Sequence, residues 1–193
     1  AGVDEIHIDV SDGHYTSELI FGYKVVADLR RETSLPLDVH LATYRQQSFV
    51  LPFIEAGADM IMFQYESLEH PLRSIESVQV HGKQVGIAFA PMTPFETVVP
   101  YVGDVDRMNF LGVEPGIGGQ RFSPRVLQKI HRCSRVVLSE GLSTRVSVDG
   151  GVNRETIEAV VDSGADTVII GSGIFNAEPI SRNVQLIREK ARR

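Results

Sequence analysis

The chain has little that would take it out of the class of ordinary enzyme-sized domains. It has one cysteine, Cys133, in 193 residues, so an internal disulfide is impossible and a reducing, cytoplasmic setting is expected. No apolar run reaches the length of a membrane span, and the opening residues do not form a secretory signal. Basic runs and basic–aromatic patches are missing and the formal net charge is −6, so a nucleic-acid partner is not expected. No stretch has linker or low-complexity composition. With 42% hydrophobic and 23% charged residues, the chain can bury one sizeable core and is too short for two large domains.

What is present is a regular alternation of short β-branched runs with longer amphipathic segments. The periodicity predicts strands over 5–10, 36–41, 59–64, 84–89, 106–111, 145–149 and 167–171. Helices are predicted near 22–33, 45–56, 68–80, 95–101, 123–139, 153–163 and 179–192. Strands separated by helices imply βα units and a parallel sheet. Ala56-Gly57-Ala58-Asp59 and Ser163-Gly164-Ala165-Asp166 each close a helix with a glycine and lead into a strand. Ala1-Gly2-Val3-Asp4 matches the same phrase, so the sequence is expected to begin inside a unit, lacking one strand and helix upstream. Seven visible units and one further unit make the eight of a TIM (β/α)8 barrel, a single domain over 1–193. A seven-stranded doubly wound sheet is the alternative.

Polar residues fall on particular faces of these strands. In Ile6-His7-Ile8-Asp9-Val10 the side chains of His7 and Asp9 share one face. Leu37-Asp38-Val39-His40-Leu41 places Asp38 and His40 likewise, and Arg145-Val146-Ser147-Val148-Asp149 delivers Asp149 at the end of its strand. Strand C-terminal ends are where barrel enzymes hold their active sites. His7, Asp9, His40 and Asp149 thus form a candidate site for one divalent ion, Zn²⁺, Mn²⁺ or Fe²⁺. Burying such groups is costly unless they pair or bind a metal, and satisfied core histidines are the bland alternative. A second constellation is rich in glycine: Gly116, Gly118 and Gly119, then Gly150 and Gly151, then Gly171 and Ser172, each run ahead of a helix. Backbone N–H groups at such turns can cradle a phosphate, and plain tight turns are the alternative.

The segments HIDVSDGH, LDVHL, GIGGQRFSP, VDGGVN and IIGSGIF, in this order, resemble the ribulose-phosphate 3-epimerase family over nearly the whole chain. The resemblance implies a TIM barrel that interconverts D-ribulose 5-phosphate and D-xylulose 5-phosphate through an enediolate. It implies that His7, Asp9, His40 and Asp149 hold the metal, that Asp9 and Asp149 act as acid and base on opposite faces of C3, and that the glycine turns hold the phosphate. Homo-oligomers are common in that family. The pocket lining departs from the family pattern. Ser11 and Ala42 stand where methionines are usual, Gln64 where a histidine is usual, Ala90 where an asparagine is usual, and Glu114 replaces the asparagine of the phosphate loop. These changes keep two other readings open, a related ketose phosphate such as a hexulose 6-phosphate, or a non-catalytic phosphosugar-binding paralogue. The decarboxylases of related barrels carry Asp-x-Lys-x-x-Asp on this strand; here Asp38-Val39-His40-Leu41-Ala42-Thr43 lacks both the lysine and the second aspartate.

Overall fold

Strand and helix alternate throughout the computed structural model, which describes residues 1–116, 118–176 and 178–192. One compact unit comprises Asp4–Ala88 with Asp104–Asp106. It carries β1 (Ile6–Asp12), the short β2 (Leu19–Ile20), α1 (Tyr23–Glu32), β3 (Leu37–Ala42), α2 (Val50–Glu55), β4 (Met60–Gln64), α3 (Pro71–Gln79) and all but the last residue of β5 (Gln84–Phe89). Here β1, β3, β4 and β5 pair in parallel in that order, and β2 pairs antiparallel with the end of β1. The other unit comprises Ala1–Val3, Phe89–Gly103 and Arg107–Arg193. It carries α4 (Phe95–Val98), β6 (Arg107–Leu111), α5 (Arg125–Glu140), β7 (Arg145–Asp149), α6 (Ile157–Asp162), β8 (Thr167–Ile169) and α7 (Ile180–Ala191), with β6, β7 and β8 parallel.

All seven predicted strands and all seven predicted helices are found, with shifts at their ends. Helix α3 begins at Pro71, since proline suits a first helical turn whose N–H has no partner in any case. Helix α6 begins late because the Asn153 side chain accepts the N–H groups of Glu155 at 2.8 Å and Thr156 at 3.2 Å, which holds a turn where a helix was expected. Residues 45–56 divide into a 3-10 turn (Gln46–Phe49) and α2. Among the described residues no helix is long and apolar enough to cross a membrane.

Strands β3, β4 and β6 are buried on both faces along their whole length, as parallel strands are when covered on both sides. All five residues of β4 are buried, with Met60 and Met62 packed against Ala88. Burying a side chain of this size contributes about 1.5–3 kcal/mol. The repeated Gly-Ala-Asp phrase has a structural cause at the start of the strands. Asp59 donates its N–H to Leu37 O at 2.9 Å, and its Oδ2 accepts the Leu37 N–H at 3.0 Å. Asp106 does the same to Val85, at 2.8 Å and 2.8 Å. Asp166 does the same to Val146, at 3.0 Å and 2.9 Å. Each aspartate staples the amide of the first or second residue of the preceding strand. Cys133 is buried in α5, and burial, with Asp166 nearby, pushes its thiol up to about 12, which leaves it unreactive at neutral pH.

Candidate active site

Register builds the site. In the β1–β3 pair His7 stands beside Asp38, and Asp9 stands beside His40. The His-x-Asp of one strand and the Asp-x-His of the other are in opposite phase, so each imidazole meets a carboxylate. His7 Nδ1 donates to Asp38 Oδ2 at 2.8 Å. His40 Nδ1 lies 3.0 Å from Asp9 Oδ1, and His7 Nε2 lies 3.5 Å from the same oxygen. The two rings are 5.8 Å apart. Both histidine side chains are buried, while Asp9 exposes 51% of its side chain.

A divalent ion suits these donors. With its Nδ1 hydrogen held by Asp38, His7 presents Nε2, and that buried atom has no hydrogen-bond partner among the described residues. A buried polar atom in that state calls for an explanation, and a metal ligand supplies one. A carboxylate behind a ligating histidine is a recurring outer-shell arrangement that fixes tautomer and ring orientation. One donor atom each from His7, Asp9 and His40 lies within 4.8 Å of the others. Nitrogen and carboxylate donors in this combination fit Zn²⁺, Mn²⁺ or Fe²⁺.

The electrostatics follow from the same contacts. Burial opposes charge on His7, but Asp38 first and Asp9 second outweigh it and hold its pKa well above the ordinary histidine value. Burial also opposes charge on Asp9, yet the hydrogen bond from His40 and the His7 imidazole nearby hold its carboxyl well below the usual range. A raised His7 pKa means that its stabilising contribution is complete below about pH 6.5 and is lost as pH rises through the folded-state value. The metal-free protein should therefore melt at a lower temperature in alkaline than in neutral solution. A divalent ion has to displace the His7 proton, so its binding should release protons and weaken on acidification. Calorimetric titration of Zn²⁺ in buffers of different ionisation enthalpy measures that release, and zero protons would contradict it.

Asp149 ends β7 in the other unit, where its carbonyl oxygen accepts the Gly112 N–H at 2.6 Å. The three glycine-rich turns of that unit follow β6, β7 and β8, and their inner parts are in close contact. A Cβ on Gly150 would lie 2.5 Å from Val113 Cγ2, and one on Gly173 would lie 2.8 Å from Val152 O. Gly118, Gly119 and Gly171 have open space around them, and Ile117 lies outside the described residues. Glu114 is exposed.

Other residues take structural places. Asp12 Oδ1 accepts the N–H groups of His14 at 2.9 Å and Tyr15 at 3.0 Å, and its Oδ2 accepts that of Tyr44 at 2.9 Å, which ties together the loops after β1 and β3. His14 is therefore part of a turn, and His70, His81 and His131 lie on the surface. Ser11 continues the row of His7 and Asp9, and its hydroxyl donates to Glu18 O at 2.7 Å and meets the Thr16 hydroxyl. Two partners of the histidines escaped the sequence reading, Asp38 beside His7 and Gln64 beside His40. The opposite phase of the two strand motifs could have found the first. A polar residue closing the apolar run of β4 was the signal for the second.

Comparison with known proteins places these features in a family. The model of the ribulose-phosphate 3 epimerase family matches residues 1–175. The ribulose-phosphate 3-epimerase of Mycobacterium tuberculosis is 34% identical over 190 residues, covering 98% of this chain and 83% of the relative. That of Bacillus subtilis is 35% identical over 188 residues, covering 97% and 87%. Among solved structures, a mutant tryptophan synthase α-subunit from Pyrococcus furiosus aligns with a TM-score of 0.63 at 19% identity, over 87% of this chain and 71% of that one. This second likeness concerns fold alone, and it agrees with the TIM (β/α)8 class predicted above.

Proposed function

This chain belongs to the ribulose-phosphate 3-epimerase family, a family of isomerases, and on that premise we propose that it epimerises D-ribulose 5-phosphate and D-xylulose 5-phosphate at C3 through an enediolate. The observation that carries the reading is the buried His7 Nε2, turned by Asp38 toward the side where Asp9 and His40 gather. His7, Asp9, His40 and Asp149 are the proposed ligands of one divalent ion. When bound, that ion supplies Lewis-acid stabilisation of the negative charge that develops on the substrate oxygens.

The protein's own groups handle the protons. A hydrogen on a carbon next to a ketone is a far weaker acid than a carboxylic acid, so its removal needs both a positioned base and stabilised charge. Asp9 is ionised, since His40 and His7 hold its carboxyl low, and its side chain is half-exposed. In this reading Asp9 and Asp149 flank C3, one accepting the proton and the other returning one from the opposite face, which inverts the centre. The backbone N–H groups around Gly116, Gly118, Gly119, Gly150, Gly151, Gly171 and Ser172 hold the phosphate. Asp38 holds His7 in the required tautomer throughout.

The test is proton exchange. Protein loaded with Zn²⁺ or Mn²⁺ and given D-ribulose 5-phosphate in D₂O should place deuterium at C3 and form labelled xylulose 5-phosphate. Binding without exchange would redirect the reading to a hexulose 6-phosphate. Absence of exchange with every ketose phosphate would leave a non-catalytic phosphosugar-binding protein.

A further inference from the structure

The side chain of Gln64 is fully buried, and its neighbours decide which way its amide points. Its Nε2 donates to Glu66 Oε2 and, at 3.5 Å, to Ala88 O. A carboxylate and a carbonyl accept and cannot donate. The amide oxygen therefore faces the other way, where it lies 2.9 Å from His40 Nε2. An amide oxygen only accepts, so His40 Nε2 must carry a hydrogen. The nitrogen left for a metal ion is Nδ1, which an ion must take over from its hydrogen bond to Asp9. His7 is the reverse case, with Nδ1 committed to Asp38 and Nε2 left over.

The backbone of Gln64 is gripped as well. Gln46 Oε1 accepts the Gln64 N–H at 2.8 Å, and Gln46 Nε2 donates to Gln64 O at 2.8 Å and to Ser67 Oγ at 2.9 Å. The strand ends at this residue, and the buried Gln46 side chain takes over from the ladder that stops there. An amide behind His40 also avoids placing a further carboxylate against the Asp9–His40 pair.

We propose that Gln64, oriented by Glu66, is a positioning residue that fixes the tautomer of His40, so that one divalent ion receives Nδ1 from His40 and Nε2 from His7. This rests on the metal-dependent reading given above. The tautomer is read by long-range ¹⁵N–¹H correlation spectra of the metal-free protein in mildly alkaline solution, where His40 should keep a hydrogen on Nε2. Affinity is read separately by competition with a chelator for Zn²⁺. Gln64→Met, similar in size but without the acceptor, should populate the Nδ1–H form and weaken Zn²⁺ binding about 10–100-fold. Glu66→Gln, at an exposed position, offers the amide of Gln64 both a donor and an acceptor, and should yield a mixture of tautomers with the fold intact. An unchanged tautomer and unchanged affinity in both variants would overturn the proposal, and if Gln64→Met does not fold, Glu66→Gln decides alone. A parent protein that binds no Zn²⁺ but shows the Nε2–H tautomer would retract the functional reading. One that binds Zn²⁺ with His40 in the other tautomer would retract this one.

Discussion

Asp9→Asn and Asp149→Asn should each lower the rate of epimerisation by about 10²–10⁴-fold, the usual contribution of one acid–base group, and they should fail in opposite ways. If the two carboxylates stand on opposite faces of C3, each removes the proton from only one epimer. The variant that keeps the base for ribulose 5-phosphate can still form the enediolate and reprotonate it from the same side. It should wash deuterium into ribulose 5-phosphate without making xylulose 5-phosphate. The other variant should wash label only into xylulose 5-phosphate. Asparagine keeps an oxygen donor in place, and Zn²⁺ affinity measured alongside separates loss of the ion from loss of the base. Equal exchange with both sugars in either variant would remove that residue from the acid–base pair.

Gly151→Ala should destabilise the fold by about 2–5 kcal/mol, adding the left-handed backbone cost to that of overpacking. Gly151 has φ +73, and a Cβ there would lie 2.8 Å from both the nitrogen and the Cα of Phe122. Backbone atoms cannot step aside by changing rotamer, so the turns after β6 and β7 would have to separate. Because these turns are the proposed phosphate cradle, substrate affinity should fall with stability. Gly118→Ala is the control: a Cβ there meets nothing within 4 Å, and stability should change by no more than about 0.5 kcal/mol. Urea unfolding of the two variants makes the comparison, and equal midpoints would refute it.

Much of this was legible in the sequence, because period-two alternation is a local property. It placed β1, β3, β5 and β7 within two residues of their ends and put His7 and Asp9 on one face. What was not legible depends on partners far along the chain. Strand β2 is two residues, Leu19 and Ile20, made a strand only by pairing with Asp12 and Ser11. Asp38 acquires its role from the register that sets it beside His7. Gln64 is harder still, since the residue paired with His40 is Met62, and only the length of a glutamine side chain reaches the imidazole. The start of α6 was misplaced for a local reason, the side chain of Asn153 competing for backbone N–H groups that a helix would have used.

The aspartates at the entry of the strands and those further along divide two duties that many proteins load onto the same residues. Asp59, Asp106 and Asp166 fasten neighbouring strands where the chain enters them, while Asp9 lies midway along β1 and Asp149 where the chain leaves β7. Mutational drift at the exits leaves the entry fastenings untouched. The chain can therefore explore new substrates through positions such as Ser11 and Ala42, adjacent in register at the exit of β1 and β3, without risking the sheet that carries them.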